Sequence, residues 1–107
     1  MLKKNITKAR KFRDYLGEKL KDPEYARGFL EASLQEYIEH GDREVFLGSI
    51  KYVTEVQGGV KHLSEKIGLS RSALYKVFSE KGNPTFDTLN SILTGLGFTL
   101  KIERLTL

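Results

Sequence analysis

The sequence contains no cysteine. That one absence removes disulfides, thiolate metal sites and cysteine nucleophiles together, and it is compatible with a reducing compartment. Histidine is nearly as scarce, with only His40 and His62 present. Two separated histidines without cysteine match no metal-ligand spacing, and neither has the setting of a catalytic triad. No apolar run approaches the ~20 residues of a membrane-spanning helix. The opening "MLKKNITKARKF" lacks the apolar core of an export signal. Repeats, low-complexity segments and long linkers are missing as well. The expectation is a soluble, unexported, cytoplasmic protein with no cofactor and no enzymatic activity.

What is present is charge, unevenly spread. The 107 residues suit one domain, and 30% charged against 39% hydrophobic residues is an ordinary folded balance rather than a disordered one. The net charge of +4 hides a pattern: residues 1–21 carry +6, residues 22–57 carry −5, residues 58–81 carry +3, and the remainder is neutral. Two basic segments flank an acidic one. Phosphate would repel the acidic middle, so any nucleic acid belongs to the flanks.

Apolar spacing predicts a mainly helical chain. Phe12, Tyr15, Leu16 and Leu20 mark a helix near 10–20. Asp22 is suited to cap the next helix, with Pro23 at its first position, Glu24 at its positive end and Gly41 at its close. Its apolar residues are Ala26, Phe29, Leu30, Leu34, Tyr37 and Ile38. Asp42 is expected to cap a third helix striped by Val45, Phe46, Ile50, Val53 and Val56, ended by Gly58-Gly59. Leu63 and Ile67 mark a short helix from 60 to 67. Gly68-Leu69 then turns, and Ser70 caps a second short helix with Leu74, Val77 and Phe78. After the loop "EKGNP", Thr85 caps a last helix carrying Phe86, Leu89, Ile92, Leu93 and Leu96, closed by Gly97. Phe98, Leu100 and Ile102 alternate with Thr99, Lys101 and Glu103, which reads as a strand. A lone strand leaves its backbone groups unpaired, so the same strand of a second copy is its expected partner, giving a homodimer.

The stretch "GLSRS" at 68–72 invites comparison with the G-x-S-x-G nucleophile elbow. The comparison fails, because an elbow follows a buried strand, this segment follows a helix, and the closing glycine is a serine. The alternative is a helix-turn-helix, in which the first helix crosses the DNA backbone and the second enters the major groove N-terminus first. That motif needs an apolar inner face (Leu63, Ile67, Leu74, Val77), a glycine in the turn (Gly68), and polar or basic residues opening the second helix (Ser70, Arg71, Ser72, Lys76). With Leu74 and Val77 inward, residues 71, 72, 75 and 76 fall on outward or flanking faces at about 100° per residue. Arg71 can fork onto guanine O6 and N7, worth ~1–3 kcal/mol of discrimination. Ser72 suits a base or phosphate, Lys76 a phosphate or base edge, and Tyr75 a thymine methyl or phosphate. Ser70 caps the helix, beside which a phosphate is favoured, and Lys61, Lys81 and Asn83 flank the pair as backbone clamps. A solvated face on a small bundle would carry the same residues one by one; spacing, turn and cap in combination favour DNA.

Residues 60–97 resemble the Cro/C1-type (lambda repressor-like) helix-turn-helix, through L-[AS]-x-x-x-G-[LVI]-S-x-x-x-[LI]-x-x-[VIL] at 63–77 followed by "NPTFDTLNSILTGLG". "RDYLGEKLKDPEYARGFLEASLQEYIEHGD" and "GLSRSALYKVFSEKGNPTFDTL" resemble the addiction-module antidote proteins, HigA-like antitoxins carrying such a domain. The resemblance spans about residues 13–104. It implies a bacterial antitoxin that binds a RelE-like ribonuclease toxin, dimerises and represses its own operon, resting on the nucleoid when bound. It places base-reading positions at Arg71, Ser72 and Lys76, with Ser70 at the turn. Two positions depart from the pattern. Val60 stands where many such domains have glutamine, which shifts the phosphate contact to Lys61 or a backbone N–H. Ser64 stands where alanine is usual, and fits if its hydroxyl bonds back to its helix.

The chain thus divides into residues 1–41, a basic segment and helical extension; 42–97, the helix-turn-helix core; and 98–107, the dimerising strand, all within one domain. A rival reading is a protein-interaction module. There the basic Lys3, Lys4, Lys8, Arg10, Lys11 and Arg13 and the acidic Glu24, Glu31, Glu36 and Glu39 bind a partner such as a basic ribonuclease. A stand-alone transcriptional regulator is a further alternative. RNA recognition ranks behind both, because Phe12, Tyr15, Tyr25 and Phe29 sit at core spacing rather than on a strand platform for bases.

Overall fold

The computed structural model describes the backbone of residues 2–106 and the side chains of residues 8–106. Lys3 and Lys4 therefore lie outside the described side chains. Six helices follow in order: α1 (Leu2–Lys19), α2 (Pro23–His40), α3 (Arg43–Val56), α4 (Gly59–Ile67), α5 (Arg71–Val77) and α6 (Phe86–Gly95). No strand occurs among the described residues.

Local chemistry sets most boundaries. The Asp22 carboxylate accepts the Glu24 N–H at 3.0 Å, Pro23 opens α2, and the N–H of left-handed Gly41 closes it on the Tyr37 carbonyl at 2.8 Å. Thr85 opens α6 by accepting the Thr88 N–H. Asp42 departs from expectation. It stands at the α3 N-cap but makes no side-chain cap bond, its backbone lying outside the extended region that aims a cap (φ −78°, ψ 70°).

Helix α3 packs on α2 and α4, and α4 in turn on α5 and α6. Phe46, Leu47, Ile50 and Val53 of α3 share one buried cluster with Ala26 and Leu30 of α2, Val60 and Leu63 of α4, Leu74 of α5, and Ile92, Leu93 and Leu96 towards the chain's end. Burying one such side chain contributes about 1.5–3 kcal/mol. Tyr37 stacks on Phe46 with centroids 6.2 Å apart, and Phe29 tilts against Tyr52 at 6.4 Å. The buried hydroxyls are satisfied within their own helices: Ser33 donates to the Leu30 carbonyl and Thr54 to that of Ile50. Gln57 ties the end of α3 to the Leu96 carbonyl at 3.1 Å.

Three apolar assignments are corrected. Helix α1 starts earlier than expected, and its inward line is Leu16, Gly17 and Leu20; Phe12 and Tyr15 are 65% and 58% exposed. The helix is docked by the Tyr52 hydroxyl, which donates to the Arg13 carbonyl at 2.8 Å, with the Arg13 guanidinium over the Tyr52 ring. Tyr25, Ile38, Val45 and Phe86 are likewise exposed rather than part of the core. The C-terminal strand does not form in this chain. A ladder needs a neighbouring strand, and no segment supplies one. Phe98 and Leu100 instead pack half-buried against the core, while Ile102 stands fully in solvent.

Candidate nucleic-acid interface

The α4–α5 junction is built by three residues in succession. Gly68 adopts φ 75°, a conformation that costs other residues about 1 kcal/mol or more, and its N–H closes α4 on the Ser64 carbonyl at 3.0 Å. Leu69 is half-buried against the core. Ser70 is extended (φ −68°, ψ 152°), and its Oγ accepts the Ala73 N–H at 3.0 Å. The opening serine of the pair is therefore a helix cap, as expected.

Leu74 and Val77 anchor α5 to the core, Leu74 with no exposed surface. The remaining faces follow from helical geometry. Ser72 lies opposite the buried line, Tyr75 and Lys76 stand to either side of it, Arg71 is nearest the line, and all four are exposed. The structure thus brings Arg71, Ser72, Tyr75 and Lys76 together on one outer surface. Lys61 stands apart on the first turn of α4, exposed. Lys81 and Asn83 are exposed in the loop to α6. That loop returns tightly against the end of α5. Gly82 is buried between them, and a Cβ there would lie 1.9 Å from the Val77 carbonyl oxygen. The residues expected to pair between two copies are not brought together: Phe98 and Leu100 turn to the core and Ile102 does not.

The electrostatics separate this surface from α2. On α2, Arg27 forks between Glu24, at 2.7 Å, and Glu31; His40 meets Glu36 at 3.2 Å, and Gln35 donates to Glu39 at 2.8 Å. Hydrogen bonds to Glu24 and then to Glu31 push the Arg27 guanidinium above its ordinary range. Among the described residues, no ion pair takes up Lys61, Arg71, Lys76 or Lys81. No group of three or more His, Cys, Asp or Glu that could hold a metal occurs among the described residues, and no helix there is long and apolar enough to cross a membrane.

Two features of the site were not foreseen. The Ser64 hydroxyl does not bond back within α4. It crosses the turn and donates to the Leu69 carbonyl. Its signal in the sequence is a serine where a small apolar residue would suffice. Helix α6 also approaches α4 closely at Gly95, where a Cβ would sit 2.4 Å from Ile67 Cγ2 and 2.9 Å from Leu63 Cδ1.

Comparison with known proteins gives one family. Residues 10–104 match the model of a family described as probable addiction module antidote protein. An uncharacterized protein of Haemophilus influenzae is 25% identical over 92 residues, covering 81% of this chain and 94% of its own. No solved structure matches. The chain belongs to the addiction-module antidote family, and an antidote implies a toxin partner.

Proposed function

From that membership, we propose that the chain is a sequence-specific DNA-binding repressor that serves as the antitoxin of a type II toxin–antitoxin module. Helices α4 and α5 act as a Cro/C1-type helix-turn-helix. Arg71, Ser72 and Lys76 read base edges, Tyr75 contacts a thymine methyl or phosphate, and Lys61, Lys81 and Asn83 hold the phosphate backbone. The observation that carries this reading is the outward cluster on α5, whose cations have no internal partner behind a capped turn. Two such helices in a homodimer would enter successive major grooves about 34–36 Å apart.

The test is a gel shift with a duplex enriched by the protein from a randomised pool, beside a random duplex. Arg71→Ala is expected to lose about 1–3 kcal/mol on the enriched duplex and little on the random one. Equal losses on both would remove Arg71 as a base reader. Residues 98–102 join two copies, their alternating pattern supporting a strand that forms only when a second copy supplies its neighbour. Ile102→Asp, at the strand residue that stands in solvent, is expected to halve the mass in sedimentation, and an unchanged mass contradicts strand pairing.

A RelE-like ribonuclease is the proposed toxin class, neutralised in the cytoplasm by masking. A second reading gives the chain mainly to that partner, and one observation favours it: Phe12 and Tyr15 stand exposed on α1 beside Lys8, Lys11 and Lys19. Large exposed aromatics next to charge suit a protein interface. A pull-down with the toxin that survives Arg71→Ala but not Phe12→Asp would assign the two roles to two surfaces. The proposed role includes no catalytic step.

A further inference from the structure

Ser64 holds both ends of the turn between α4 and α5. Its carbonyl accepts the Gly68 N–H at 3.0 Å, the bond that closes α4. Its hydroxyl donates to the Leu69 carbonyl, immediately before the Ser70 cap of α5. One half-buried residue thereby links the last turn of one helix to the turn residue that precedes the cap of the next.

Helix α5 needs such a link. It has seven residues, and its buried side chains are Leu74 and Val77. Two anchors along one line set the depth of a helix, and Phe78 and the loop packed at Gly82 hold its far end. The direction of its N-terminal end, which carries Arg71 and Ser72, is set at the junction. Helix α4 is a firm reference for that junction, because the close approach at Gly95 seats Leu63 and Ile67 directly on α6. A hydroxyl on α4 that grips the turn passes this fixed position on to α5.

The fold itself does not require the hydroxyl. An alanine at 64 would fill nearly the same space and keep the carbonyl that closes α4. We propose that Ser64 is a positioning residue. It fixes the direction of α5 and so determines which base edges Arg71, Ser72 and Lys76 reach. The inference rests on the DNA-binding reading above and adds to it a specificity determinant that touches no DNA.

The experiment uses the full chain as wild type, Ser64→Ala and Ser64→Thr. The probes are a duplex enriched by the wild type from a randomised pool and a random duplex of the same length. Ser64→Ala is expected to keep the wild-type helix content and random-duplex affinity, and to bind the enriched duplex roughly fivefold more weakly, the worth of one ordinary hydrogen bond. Ser64→Thr, which keeps the hydroxyl, restores most of the loss. Selection with Ser64→Ala yields a broader consensus, a readout that simple destabilisation does not move. Unchanged affinity for the enriched duplex overturns the proposal, as do equal losses on both duplexes. If the wild type enriches no duplex, the DNA reading fails, and amide exchange at Ala73 then decides the clamp. Faster exchange in Ser64→Ala supports it, and unchanged exchange overturns it.

Discussion

Helices α2 and α5 both turn charged faces to solvent, but they use charge in opposite ways. On α2 the carboxylates are matched internally: Glu24 and Glu31 to Arg27, Glu36 to His40, Glu39 to Gln35. Such pairs at three- and four-residue spacing support the helix that carries them. On α5, Arg71 and Lys76 have no acidic partner among the described residues, and no acid lies within the helix. Length is part of the reason, since 7 residues offer little room for internal pairs and 18 offer much. The short helix is held instead by its cap and by Leu74, which leaves its charge available. Net charge alone would not have separated a surface whose charges are paired within the helix from one whose charges are not.

Three substitutions probe that difference. Leu74→Ala attacks the anchor of α5 and has the largest effect, a destabilisation of about 2–5 kcal/mol in urea unfolding, with both kinds of DNA binding reduced. A smaller loss would mean that α5 is held mainly by its turn. Lys81→Ala leaves stability alone, weakens binding to all duplexes alike, and lowers the slope of log affinity against log salt by about 0.9. A change confined to the enriched sequence would move Lys81 from backbone clamp to base reader. Arg27→Ala, on α2, has the smallest effect: a slight fall in melting temperature that disappears in ~1 M salt, with DNA binding unchanged. A loss of DNA affinity there would erase the contrast between the two helices.

How far the sequence could be read depended on how local the deciding physics was. Asp22, Gly41, Gly68, Ser70 and Thr85 end or begin helices through bonds to residues at most four positions away, and each was legible. The outward set on α5 was legible for the same reason, since two buried residues one turn apart fix its faces. Phe12, Tyr15, Ile38, Val45 and Phe86 were misassigned to the core because spacing identifies an apolar stripe without telling which side a neighbouring helix will cover. Residues 98–102 carry a strand's alternation, but a strand is completed only by its neighbour, and within one chain Phe98 and Leu100 find the core instead. The Ser64 bond belongs to this second group. It depends on where Gly68 sends the chain, which only the folded turn decides.

The central claim is that DNA meets α5 and not the acidic face of α2. Titrating the isotopically labelled protein with its enriched duplex, and following backbone amide resonances, tests it most directly. The account predicts the largest shifts at Ser70–Lys76, smaller ones at Lys61, Lys81 and Asn83, and none along Glu24–Glu39. Shifts concentrated on α1 or α2, with α5 silent, would contradict it.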